Sequence, residues 1–167
     1  MVIIDLETSG FSHNKDRIIE VAVGLVKGHS IVDIFHTKIN PSLKINVEIQ
    51  ELTGLTNDEL SMAPSFKEIE EKLYEFCFNH VIVGYNVAFD KRFLNAASRR
   101  FGNLSYYDYM KYVKQNYKDL DSYKMRNVAR EFGVNFEKTH SALTDIKILH
   151  AIMVRAGWPD LREEYDD

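Results

Sequence analysis

The feature that most constrains this chain is its opening run, IIDLETSG, at residues 3–10. Val2, Ile3 and Ile4 are apolar and β-branched, as a strand buried inside a sheet requires. Asp5 and Glu7 follow at i and i+2, so on a strand their side chains project to one face. Gly10 then lets the chain turn away. Two carboxylates at the tip of a buried strand repel each other and lose hydration, so folding alone does not favour them there. A hard divalent cation between them reverses that sign. An isolated Asp-x-Glu pair is more simply read as two strand-end residues in water, so the rest of the chain must supply the other ligands.

The length of 167 residues suits one domain with a sizeable core. Cys77 is the only cysteine, which rules out an internal disulfide and points to a reducing, cytoplasmic setting. No apolar run is long enough to span a membrane, and the N-terminus lacks a basic-then-apolar signal pattern. A net charge of −4 argues against coating long duplex DNA. The charge is uneven, however. Residues 91–130 hold ten Lys/Arg against three Asp, a local +7 that leaves −11 elsewhere. A basic flank beside acidic clusters suits a protein that grips a phosphate backbone while metals occupy the acidic part, although ordinary solvated helix faces give the same pattern.

Along the chain, residues 18–27 and 31–39 read as strands that continue the first into an antiparallel meander. Residues 43–64 carry one or two short helices broken at Gly54 and Pro64. Ser65 with Glu68 is a capping-box signature, and Phe66, Ile69, Leu73 and Phe76 mark one face of a helix. VIVGY at 81–85 reads as a central strand, and 91–101 as a helix ending at Gly102. Further helices are expected at 108–116, 122–132 and 142–156, followed by a frayed acidic tail at 163–167. The result is an α/β fold, an antiparallel meander plus parallel strands flanked by helices, compatible with a ribonuclease-H-like mixed sheet.

Two more groups complete a constellation. Asp90 follows the apolar strand at or near a helix start, where a capping role would also explain it. His140 and Asp145 are five apart and do not share one helical face, so His140 is placed just before a helix and Asp145 about a turn inside it. Asp5, Glu7, Asp90 and Asp145 thus all fall at the tip of a strand or the opening of a helix, and His140 adds a group that titrates near neutrality. That inventory meets the needs of two-metal phosphodiester hydrolysis, with His140 taking the proton from the attacking water.

At these positions the chain resembles the DEDDh 3′-to-5′ exonuclease family, typified by the proofreading epsilon subunits of bacterial DNA polymerase III. The motifs are DLETSG at 5–10, VGYNVAFDKRFL at 83–94 and HSALTD at 140–145, with TGLT at 53–56 and Tyr107-Asp108 resembling intervening segments. The resemblance implies two divalent ions, Mg²⁺ or Mn²⁺. Asp5, Glu7 and Asp145 would hold the ion that activates water, Asp5 would bridge to the second, and Asp90 would hold that second ion largely through water. It further implies that Thr8 and Phe11 contact the terminal nucleotide. Ser9 replaces a common Thr, and Tyr85 stands before Asn86 where many relatives have His, which leaves base stacking or an altered strand contact open at that point. Phe11 and Leu55 are candidate wedges against terminal bases.

The leading expectation is therefore one exonuclease domain over 1–167, excised from or fused to something larger. It would hydrolyse 3′ ends of single-stranded nucleic acid, DNA first, and release nucleoside 5′-monophosphates, with a polymerase or another nucleic-acid-processing protein as partner. A short-RNA exonuclease shares the same chemistry. A non-catalytic nucleic-acid-binding or polymerase-docking module is the alternative from another class, and the intact set of five positions counts against it.

Overall fold

A computed structural model describes residues 1–136 and 140–161; the acidic tail expected to fray lies outside the described residues. Strands β1 (Val2–Thr8), β2 (Ile18–Lys27) and β3 (Ser30–Lys38) form the meander. Two parallel strands, β4 (Ile82–Gly84) and β5 (Tyr106–Asp108), complete one sheet in the order β3-β2-β1-β4-β5. β1 is the hinge of this topology. It pairs antiparallel with β2 and parallel with β4, so its end is where the sheet changes sense.

Side-chain alternation along the strands splits the core into two layers. Ile3, Ala22 and Val83 face helices α5 (Tyr109–Asn116), α6 (Met125–Glu131) and α7 (Ala142–Ala156). Val2, Ile4, Leu6, Val21, Val23 and Ile82 face α3 (Phe66–Cys77) and α4 (Ala88–Ala97). A sheet covered on both faces explains why β2 is apolar almost throughout. The short helices α1 (Val47–Thr53) and α2 (Asn57–Ser61) close a smaller cluster of Ile19, Ile45, Leu55 and Leu60. Gly54, with φ 73°, caps α1 in the left-handed region that the sequence break at this position anticipates.

Most of the expected elements form, with three differences. The helix read from 91 begins at Ala88 and stops at Ala97, and a 3₁₀ turn over Arg99–Asn103 replaces its last residues. β5 was not anticipated: three residues carry no readable period, and the segment becomes a strand only because β4 offers it an edge. The helix expected over 122–132 is shorter, Met125–Glu131. Among the described residues no helix is long and apolar enough to cross a membrane.

Candidate active site

The site gathers at the end of β1. Ile3 packs toward α7 while Leu6 is buried on the opposite face, so Asp5 and Glu7 project to the α7 side. The pairing of β1 with β2 slips between Glu7 and Thr8, and the chain leaves the sheet there. The loop that follows closes on itself. Ser9 N–H donates to the Arg17 carbonyl at 2.8 Å, Ser12 N–H to Asp16 Oδ2 at 2.8 Å, and Arg17 N–H to Ser9 Oγ at 2.9 Å. A Cβ at Gly10 would stand 2.6 Å from the Asp16 carboxylate, so any larger residue would have to displace the side chain that closes this loop. The loop carries Phe11 outward, 88% exposed, while Thr8 is buried with its Oγ1 donating to the Gly10 carbonyl at 2.6 Å.

The second contribution comes from α4. Asp90 lies in the helix's first turn rather than at the cap, a position that Val87 occupies. β4 delivers the chain into this helix through a tight turn in which Asn86 adopts φ 61°, a left-handed conformation that Asn tolerates better than most residues. Asn86 N–H donates to Asp108 Oδ1 at 2.9 Å, and the same carboxylate accepts Met110 N–H at the start of α5. Asp90 is 5% exposed. Burial pushes its carboxyl up to about 8, and backbone N–H groups of its own residue and of Leu6 hold it partly down.

The third contribution is the opening of α7. His140 stands just before the helix, its N–H donating to the Leu52 carbonyl at 3.4 Å, and Ser141 is the N-cap. Asp145 lies one turn inside and is 5% exposed. Its Oδ1 accepts from Arg126 Nη2 at 2.7 Å, and its Oδ2 is 3.7 Å from His140 Nδ1. Burial raises Asp145 to about 6 against the opposing pull of Arg126. Burial, with Arg126 second, lowers His140 from its ordinary value, a shift toward the neutral ring.

Electrostatics at this point are severe. Burial lifts Asp5 well above the carboxylate range, and Asp90, Asp145, Glu7 and Glu20 add to the effect. Glu7 is pushed up to about 8, by burial first and then by Asp145 and Glu20. Glu7, His140 and Asp145 each offer a ligand atom, all within 4.8 Å of one another. The carboxylates of Glu7 and Asp145, with Asp5 and Asp90 in electrostatic contact, are hard oxygen donors of the kind Mg²⁺ or Mn²⁺ prefers, while His140 offers a nitrogen beside them.

The remaining residues singled out in the sequence are placed differently. Tyr85 turns inward, its hydroxyl donating to the Tyr123 carbonyl at 2.6 Å, and its backbone lies beside the exposed Asn86. Leu55 is 5% exposed and packs among Ile19, Ile45 and Leu60, so little of it remains to meet a base. Two residues at the site escaped the sequence reading. Arg126 was one of ten basic residues in its segment, with nothing to distinguish it. Glu20 did leave a signal, a lone charge inside the apolar run IIEVAVG.

A mixed five-stranded sheet with acids on its central strand and at the openings of two flanking helices has the ribonuclease-H-like architecture. The chain belongs to the exonuclease family: the RNase_T exonuclease model matches residues 2–153. It is 33% identical over 168 residues to the PolC-type DNA polymerase III of Clostridium perfringens, covering 99% of this chain and 12% of that protein. It is 28% identical to the DNA polymerase III epsilon subunit of Aquifex aeolicus, covering 92% of this chain and 78% of that one. The chain thus spans about 12% of the length of such PolC-type relatives. Among solved structures, the nuclease domain of 3′hExo, a DEDDh family member bound to rAMP, superposes with a TM-score of 0.78 at 21% identity, covering 93% of this chain and 92% of that one. Exonuclease X in complex with 5′ overhanging duplex DNA gives 0.75 at 22%, covering 98% and 97%.

Proposed function

We propose that this domain is a metal-dependent 3′-to-5′ exonuclease that shortens single-stranded DNA ends and releases nucleoside 5′-monophosphates, working beside a DNA polymerase. The observation that carries the proposal is the convergence of Glu7, His140 and Asp145 within 4.8 Å, with Asp5 and Asp90 in electrostatic contact. DNA is favoured because the sequence relatives named above are DNA polymerase III proteins.

Asp5, Glu7, Asp90 and Asp145 would hold one or two Mg²⁺ or Mn²⁺ ions, which would supply charge neutralisation and polarise the scissile phosphate and its attacking water. His140 faces Asp145 through Nδ1 at 3.7 Å, which leaves Nε2 to accept the water proton. The water oxygen would bond to phosphorus as the bond to the 3′ oxygen of the preceding nucleotide breaks, and that oxygen would take up a proton from solvent to become the new 3′ hydroxyl. The products are a 5′-monophosphate and a strand one unit shorter. Phe11, exposed on its loop, offers a stacking surface for the terminal base, which any base can use. A groove of about 480 Å³ beside α4 carries Lys91 and Lys111 with the Tyr106 and Tyr107 rings, and Asp108 and Asp160 on the same lining; the lysines and rings are the candidate contacts for upstream phosphates and bases.

Asp5→Ala and Asp145→Ala are expected to abolish hydrolysis while far-UV circular dichroism stays native. His140→Ala should slow single-turnover cleavage by about 10²–10⁴. Cleavage that persists in excess EDTA, or a His140 variant at the wild-type rate, would contradict these assignments.

A further inference from the structure

Glu20 is 3% exposed, one of the most deeply buried charged residues of the chain, and it is not part of the ligand set above. It sits on β2 directly across from Glu7 in the antiparallel register. Both its oxygens are engaged. Oε2 accepts the backbone N–H of Ala142 at 3.0 Å, and Oε1 lies 2.7 Å from His36 Nε2 on β3. Ala142 is the first residue of α7, whose opening is bracketed by His140 two residues before and Asp145 three residues after. The carboxylate therefore ties the sheet to the one helix end that presents both groups.

We infer that Glu20 is a positioning residue for the nuclease reaction: it fixes the first turn of α7 against β2 so that Asp145 and His140 meet Glu7. This rests on the nuclease reading above. Its place on β2 is unfavourable on charge alone, because it stands directly across from Glu7. Like charges directly opposite on paired strands are unfavourable. What the carboxylate provides is reach, an acceptor at the helix's unpaired first N–H groups, where a negative group is also favoured by the helix dipole.

Two variants separate reach from charge. Glu20→Gln keeps the length, so its amide oxygen still accepts from Ala142 and its amide nitrogen can donate to His36. Glu20→Asp keeps the charge and withdraws it by one methylene. Wild-type protein is assayed first on a 3′-labelled oligonucleotide with Mg²⁺; an inactive wild type would overturn the nuclease reading itself. Given activity, Glu20→Asp is expected to lose about 10- to 100-fold in kcat, the scale of a small misplacement of reacting groups, with KM within about twofold. Glu20→Gln should stay within about threefold of wild type, since it restores the geometry. Amide hydrogen exchange at Ala142, read without metal or substrate, should accelerate in Glu20→Asp and not in Glu20→Gln. Wild-type kcat in Glu20→Asp, or an equal loss in both variants, would overturn the inference.

Discussion

Glu7 shows what the individual residue costs and provides. Its carboxyl is pushed from an ordinary value near 4.5 up to about 8, and Asp90 moves from near 3.8 up to about 8. Below about pH 3 both groups are largely protonated whether the chain is folded or not. As pH rises the unfolded chain releases its protons first, so the folded state binds more protons and loses stability until these groups ionise near pH 8. The melting temperature of the metal-free domain should therefore fall between about pH 5 and about pH 8, and Glu7→Gln should flatten that slope. Added Mg²⁺ should raise it more at the upper pH than at the lower, because a ligand that binds only the folded state stabilises by mass action. A slope that Glu7→Gln leaves unchanged would show that the crowding is relieved by other means. Glu7, Asp90, His140 and Asp145 were legible as residues because each sits where a pattern ends, near a strand end or at a helix opening, whereas Asp5 lies mid-strand in β1, which runs on to Thr8 rather than ending at the acids as its sequence suggested. Arg126 was not. Its pairing with Asp145 depends on how α6 packs against α7, and nothing in its local surroundings specifies that.

Elements carry the site by meeting at the end of β1, and β4 shows how little slack there is. A Cβ added to Gly84 would stand 2.7 Å from Val87 Cγ2 and 3.0 Å from Val87 Cβ. Val87 is buried and caps the helix that holds Asp90. Gly84→Ala is therefore expected to destabilise the fold by about 1–3 kcal/mol, as overpacking does, and to depress cleavage at temperatures where the protein is still folded. Urea unfolding with parallel activity measurements checks both; a neutral substitution would mean that the turn shifts without moving α4. The helices with a clear apolar face and a cap were readable, α3 above all, whose Ser65–Glu68 capping box forms as its sequence suggests. The far end of α7 was not. Its last carbonyls are held by Tyr109, Tyr112 and Tyr117 of the preceding chain segment around α5, with Tyr109 Oη donating to the Gly157 carbonyl at 2.7 Å, and Tyr117 Oη at 2.6 Å and Tyr112 Oη at 3.3 Å to that of Ala156. Such contacts join residues far apart in sequence and leave no periodic trace. The two ends of α7 are thus anchored by different parts of the fold, Glu20 at one and these tyrosines at the other.

Across the whole molecule, charge is divided between an acidic centre and the basic 91–130 segment, a division that composition alone made visible. The structure gives it a place: Lys91 lies over the Tyr106 ring at 5.0 Å, in the same groove as Lys111. Binding of a single strand to the Asp145→Ala variant should weaken with salt, and replacing Lys91 and Lys111 together should lower the slope of log K against log salt by about 1.4, since each single-strand phosphate contact contributes about 0.7. An unchanged slope would move the strand's path elsewhere, for instance to the groove lined by Arg17, Lys67 and Arg99. Under the proposed function the crowded acids are a metal-loaded centre that attacks a strand from its 3′ terminus. The most direct measurement follows one oligonucleotide, labelled at the 5′ end or at the 3′ end, with Mg²⁺ and with EDTA. The expected result is a ladder shortening one unit at a time from the 5′-labelled strand and immediate release of a labelled mononucleotide from the 3′-labelled one, both requiring Mg²⁺. A 5′-labelled mononucleotide as first product, internal cuts, or equal digestion in EDTA would contradict it.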